Sequence, residues 1–337
     1  MSRAFDIDTT SPSAVAEEAK AIFDRMGFGQ SGSLIRRLFD DVPRLFAGGF
    51  SGYQAIDMRY HNFEHTLQAT VCAFRIVDGR HAIQIQPLLG RRDCELLLAA
   101  VLLHDTGFLK RTGDDDGTGA KYTFVHERRS CEFATTYLPS LGFSGDEINA
   151  VNSAISCTGP RNTLSSVQFK RPEIRTLTTI LVTADYLSQM ASADYVDKLP
   201  VLYQEFEEAY CHDAIPEGDR PFRSADDLIH KTPAFWEKFV RPMLDRDLDG
   251  VYSYIASAPP GANPFIADVG RNISRIYALT SAPHISLDPF PSPDRSIKPA
   301  PRIVVIQPTG ASPSSCRVAA APHNSPSCTL GMMSLNK

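Results

Sequence analysis

The 337-residue chain has no apolar run near the length of about 20 residues that a bilayer core demands. Its apolar residues reach eight in a row at Leu96–Leu103. The opening, MSRAFDIDTT, has no apolar core of the secretory kind, so the expectation is a cytoplasmic protein that does not touch the membrane. The 34 lysines and arginines against 39 acids give a net charge of -5 and form no dense basic run, which argues against a nucleic-acid partner. Seven cysteines, at 72, 94, 131, 157, 211, 316 and 328, make no CxxC pair and no regular spacing; they read as reduced thiols. Two ligand motifs also fail. Asp114-Asp115-Asp116-Gly117 lacks the alternation and closing glutamate of a calcium loop, and Lys121 follows Ala120 where a phosphate-binding loop has glycine. Sustained period-2 alternation is nearly missing too, so the fold class is all-α.

What remains is an ordinary globular composition, 43% hydrophobic and 22% charged, on a chain long enough to bury a sizeable core. Helical spacing predicts helices over 11–26 and 33–46, the second stopped by Gly48-Gly49. A third runs from His61 to about Val77, and the apolar run makes a fourth. Others are expected over 122–138, from the Ser144–Glu147 capping box to Cys157, and over 172–190 behind Pro172. Further helices fit 195–211, 225–246 with a possible restart at Thr232-Pro233, and 265–279. Residues 1–50 read as a helical extension packed on a domain over 51–280. The last 57 residues hold 10 of the 24 prolines with no helical period, and residues 281–337 read as a disordered tail.

The apolar run ends on His104-Asp105. A helix buried on every side would deliver both side chains to the interior, where an unpaired carboxylate is costly and a metal ion is a common partner. Alone, the dipeptide also fits a helix C-terminus with a histidine near the dipole and an aspartate in the turn. Upstream, His61, His65, Gln68, Cys72 and Ile76 share a face without charge, opposite Phe63, Leu67, Val71 and Phe74. Two inward histidines are hard to explain as packing. Asp185 falls in the apolar stripe Ile174, Thr178, Leu181, Ser188, which suits a ligand, a capped structural acid or a helix edge set differently. His126 opens a further helix. Imidazoles and carboxylates in such a set suit one or two divalent ions: Zn, Fe, Mn or Mg.

The segment Tyr60-His61-Asn62-Phe63-Glu64-His65, with His104-Asp105 and the distant Asp185, resembles the HD superfamily of metal-dependent phosphohydrolases. Within it the likeness is to class I cyclic-nucleotide phosphodiesterases, over roughly residues 50–250. The resemblance implies an HD-type helical bundle with the metal site in its core. It also implies that His65, His104, Asp105 and Asp185 hold a first metal, that Asp105 bridges to a second, and that His61 is the general acid with Asn62 orienting its segment. His126 looks like the second-metal histidine of many bacterial HD proteins. The implied reaction is hydrolysis of a phosphoester, in a (cyclic) nucleotide, by a hydroxide held between the metals, with His61 protonating the departing oxygen. Two features depart from the phosphodiesterases. The His-Asp pair runs on through Phe108-Leu-Lys-Arg into an acidic loop, and the purine-clamping glutamine and phenylalanine have no counterpart; Phe235-Trp236 suit base stacking or the core alike. The superfamily also contains di-iron oxygenases and non-catalytic regulatory modules, which are the alternative expectations.

Overall fold

Ten helices and no strand make up the described residues, which in the computed structural model are 3–159, 162–255 and 263–281. The tail expected from residue 281, with Ile303–Ile306 and two of the cysteines, lies outside them. None of the helices is long and apolar enough to cross a membrane.

Local chemistry sets most helix starts. α1 (Pro12–Arg25) is capped by Ser11, whose hydroxyl accepts from the Ala14 amide, and carries proline where a missing N–H costs nothing. α2 spans Gly32–Phe46. α3 (Phe63–Ala82) starts one residue after Asn62, which is extended (ψ 179°) and accepts from the His65 amide at 3.2 Å. His61 therefore lies before the helix and not on the His65 face. The cap is the reason: an asparagine in that role must stand outside the helical φ/ψ region.

α4 (Arg91–Leu103) is buried at every position from Asp93 onward, as its run of apolar residues demands. Its deepest acid, Glu95, is paired with Arg91 at 2.6 Å, Arg92 at 2.7 Å and the Ser31 hydroxyl at 2.6 Å. The helix expected from 122 is shorter. A 3-10 turn at Gly119–Tyr122 comes first, Val125 breaks away (φ -138°, ψ 3°), and α5 is His126–Tyr137. α6 (Gly145–Ser156) opens on the Ser144–Glu147 box, and α7 (Pro172–Ala191) on Pro172. α8 is Tyr195–His212, α9 Ala225–Phe235 and α10 Pro264–Ser281. The single long helix expected over 225–246 gives way after α9 to two π-turns, Trp236–Val240 and Met243–Asp247. Pro233 and Pro242 precede them. Pro242 lacks an N–H and crowds the carbonyl four residues back, that of Lys238 within the first π-turn, which favours the wider i→i+5 pattern there; Pro233 is accommodated inside α9.

α3 and α7 form the most extensive helix pair, with α1 on one flank of α3 and α4 alongside both. One apolar cluster runs from Ala4 to Ile276 and takes in Trp236. Both faces of α3 are buried within it, the Leu67–Val71–Phe74 side and the His65–Gln68–Cys72–Ile76 side. A buried leucine contributes about 1.5–3 kcal/mol relative to its exposed state, so this core can sustain the polar cluster at its centre.

Candidate metal centre

Three elements converge on one buried point and a fourth borders it. α3 supplies His65, the end of α4 supplies His104 and Asp105, α7 supplies Asp185, and the start of α5 supplies His126. His65 Nε2 stands 3.0 Å from Asp185 Oδ1 and 3.4 Å from Asp105 Oδ2. His104 Nε2 lies 3.3 Å from Asp105 Oδ2, 3.6 Å from Asp185 Oδ1 and 3.4 Å from His65 Nε2. Ligand atoms of His65, His104 and Asp185 all fall within 4.8 Å of one another, and all three residues are buried.

This group could hold a metal ion. Spacings between 3.0 and 3.6 Å are those of donors each about 2.0–2.2 Å from a shared centre. Asp105 Oδ2 is buried without a hydrogen-bond partner, a costly state for a carboxylate oxygen unless a cation satisfies it. The histidine rings are set for ligation as well. His104 Nδ1 faces the Val101 carbonyl at 2.8 Å and His126 Nδ1 the Thr123 carbonyl at 2.8 Å. Each carbonyl can take only an N–H, so Nε2 is the free nitrogen in both neutral rings. Glutamine 189 adds support one turn beyond Asp185: its Nε2 donates to Asp185 Oδ1 at 2.8 Å, and its Oε1 accepts from the Tyr60 hydroxyl at 3.1 Å.

His126 is one step removed from this group. Its Nε2 lies 3.8 Å from Asp105 Oδ1, so the two oxygens of Asp105 face different histidines, His65 and His104 on one side and His126 on the other. His61 stands apart from the cluster. Its Nδ1 is 2.7 Å from Glu205 Oε2, and the other oxygen of Glu205 accepts from the Tyr60 amide at 2.7 Å and the Arg59 amide at 3.0 Å. Asn62 serves as the α3 cap, and its side-chain amide donates to the Arg59 carbonyl at 3.3 Å.

Electrostatics follow from these contacts. Burial works against charging His104, but the Asp105 charge and the Asp185 hydrogen bond outweigh it and raise its pKa to about 9. Burial likewise opposes protonation of His61, and Glu205 overcomes it, leaving the ring more basic than usual. Burial raises Asp105 and Asp185, yet the neighbouring histidines pull both below the ordinary carboxylate range.

Sequence reasoning missed Glu205 and Gln189. The same signal that marked Asp185 was available for Glu205, which stands three residues after Leu202 and four before Ala209 on the buried side of α8. Gln189 was findable only once Asp185 was accepted, as its i+4 neighbour.

Glycine 107 fixes the approach of the His-Asp turn to α5. A Cβ there would lie 1.9 Å from the His126 carbonyl oxygen and 2.7 Å from its carbon. The Gly107 amide donates to Ser130 Oγ at 2.8 Å, and its carbonyl accepts from Arg129 Nε at 2.6 Å. Gly107→Ala is expected to cost about 1–3 kcal/mol or more by overpacking, read as a lower urea midpoint with an unchanged slope. An unaltered midpoint would mean that the two segments are not pressed together.

No protein-family model matches the chain, and no curated protein matches it.

Proposed function

We propose that the chain is a metal-dependent phosphoesterase of the HD kind, acting on a nucleotide-like phosphoester. The observation that carries this reading is a partly buried acid–base group beside the proposed ligand set but outside it: His61, bonded through Nδ1 to the buried Glu205. A site that only stores or senses a metal has no use for such a group. The two-sided placement of Asp105 between His65–His104 and His126 supports it further, as does the likeness of the Tyr60–His65 segment to the cyclic-nucleotide enzymes.

His65, His104, Asp105 and Asp185 would hold one ion, and Asp105 with His126 would offer donors to a second. When bound, divalent ions supply Lewis acidity toward a phosphoryl oxygen and toward water. The protein's own part is proton delivery. With Nδ1–H engaged by Glu205, the proton that leaves His61 is the one on Nε2, and the ring is left in a neutral tautomer that Glu205 still holds. Burial opposes charging the ring, and the Glu205 hydrogen bond and charge outweigh it, so the imidazole is more basic than usual. The other Glu205 oxygen accepts from the Arg59 and Tyr60 amides, which fixes the His61 segment against α8.

Metal analysis of the purified chain, followed by a metal-reconstituted screen across cyclic nucleotides, dinucleotides, nucleoside phosphates and generic phosphoesters, tests the proposal. Bound divalent metal with turnover of one of these classes is the expected result. Two irons with oxygen consumption would replace it with an oxygenase, and a chain that binds no metal would replace it with a regulatory module.

A further inference from the structure

Phe108 is 1% exposed, yet it stands outside the main core; its apolar company is Met58 and Ala120, with Ile56 against them. Its ring instead meets two imidazoles. His61 stacks on it with centroids 4.9 Å apart and planes 20° from parallel, and His126 with centroids 4.3 Å apart and planes at 12°. Two rings this close could share one phenyl face only by meeting edge to edge. His61 and His126 make no such ring contact among the described residues, so the phenyl lies between them.

The backbone under this ring is clamped at several points. The Phe108 amide donates to the Asp105 carbonyl at 3.1 Å, while Arg129 holds the carbonyls on either side, Gly107 at 2.6 Å and Leu109 at 2.7 Å. The Phe108 carbonyl abuts Gly119 so closely that a Cβ there would lie 2.2 Å away. Gly119 is fixed in turn: its amide donates to Asp57 at 2.8 Å, and the neighbouring Thr118 hydroxyl donates to Glu208 on α8 at 2.6 Å. α8 thus holds the His61 segment through Glu205 and the support of Phe108 through Glu208.

We propose that Phe108 is a positioning residue: a rigid spacer that sets the separation and parallel planes of His61 and His126. This rests on the phosphoesterase reading for its catalytic consequence, though not for its geometry. A phenyl face attracts a protonated imidazole electrostatically, neither donates nor accepts a proton, and keeps water from the ring it covers. It can align His61 without competing for Nε2. The spacer also fixes His61 relative to the Asp105–His126 side of the cluster, which is the relation that proton delivery to a bound ester depends on.

Phe108→Leu keeps an apolar side chain and removes the flat face. Its kcat on an ester with an alkyl leaving group is expected to fall roughly 10–10²-fold, the scale of a small misplacement of a reacting group. KM should change little, a p-nitrophenyl ester should be nearly spared, and Phe108→Tyr should restore most of the rate. Equal losses on both esters, or no rescue by tyrosine, would overturn the proposal. A second measurement requires neither metal nor activity. In the EDTA-treated full chain with isotope-labelled histidine, ring-current shifts should move the carbon-bound protons of His61 and His126 upfield. Phe108→Leu should abolish both shifts and leave His65 and His104 in place. Unshifted His61 and His126 signals in the parent protein would overturn the spacer even if Phe108→Leu failed to fold. Shifts without any hydrolysis would keep the spacer and remove the phosphoesterase, whereas hydrolysis without shifts would do the reverse.

Discussion

His61→Ala is expected to keep its metal and its fold while losing roughly 10²–10⁴ in rate, the usual contribution of a positioned proton donor. The prediction rests on where the two neighbouring histidines stand. His65 Nε2 lies 3.0 Å from Asp185 inside the ligand cluster, whereas His61 is tied to Glu205 and stands before the helix start. His65→Ala should therefore lower metal occupancy along with rate. The His61→Ala defect should shrink on a p-nitrophenyl ester, because that leaving group departs without needing a proton. Glu205→Gln refines the test. Rate that depends on protonated His61 is lost as pH rises through its pKa, and Glu205 is what raises that pKa. Replacing the charge should move the alkaline limb of the pH–rate profile to lower pH; in His61→Ala the limb should flatten. Equal metal loss in the two histidine variants, or equal defects on activated and unactivated esters, would end the division of labour.

The features legible in the sequence were those that local chemistry decides. The Ser144–Glu147 box and Pro172 opened α6 and α7 where their side chains require it, and the run Leu96–Leu103 became a helix buried throughout. Asp185 could be placed inside because the four residues sharing its stripe are apolar or small and all buried. What escaped was set by contacts far apart in the chain. Glu205 meets His61 across 144 positions, and Phe108 stacks on His126 only because Gly107 lets the His-Asp turn reach α5. The i, i+4 relation between His61 and His65 misled for a physical reason: it ignored the asparagine between them, whose capping role ends the helix before His61 is reached. The inward placement of His65, His104, Asp105 and Asp185 was thus readable from periodicity, and the contacts that orient them were not.

Stripped of metal, the chain is expected to lose stability as pH rises from about 6.5 to about 9. His104 is the chief cause: its folded pKa, raised to about 9, exceeds the unfolded value of 6.5. A group shifted this way stabilises the fold fully below the unfolded pKa and ceases to do so above the folded one. For a shift of that size the loss is on the order of 3 kcal/mol, and His61, shifted in the same direction, adds to it. Asp105 and Asp185 act at the other end. Their lowered pKa values stabilise the fold above the unfolded value of 3.8 and fail as pH falls below it, so the metal-free optimum lies between these limits. The loaded protein should show the opposite slope over the alkaline window. An ion on His65 and His104 needs neutral imidazoles, so rising pH removes the competing proton and strengthens binding, and binding to the native state alone raises stability. Urea midpoints at about pH 6, 7.5 and 9, with EDTA and with saturating zinc or manganese, compare the two directly. Diverging lines are the expected result. Parallel lines would show that the imidazoles of His65 and His104 do not take the metal, and a metal-free midpoint that rises with pH would show that His104 is not held protonated by Asp105 and Asp185.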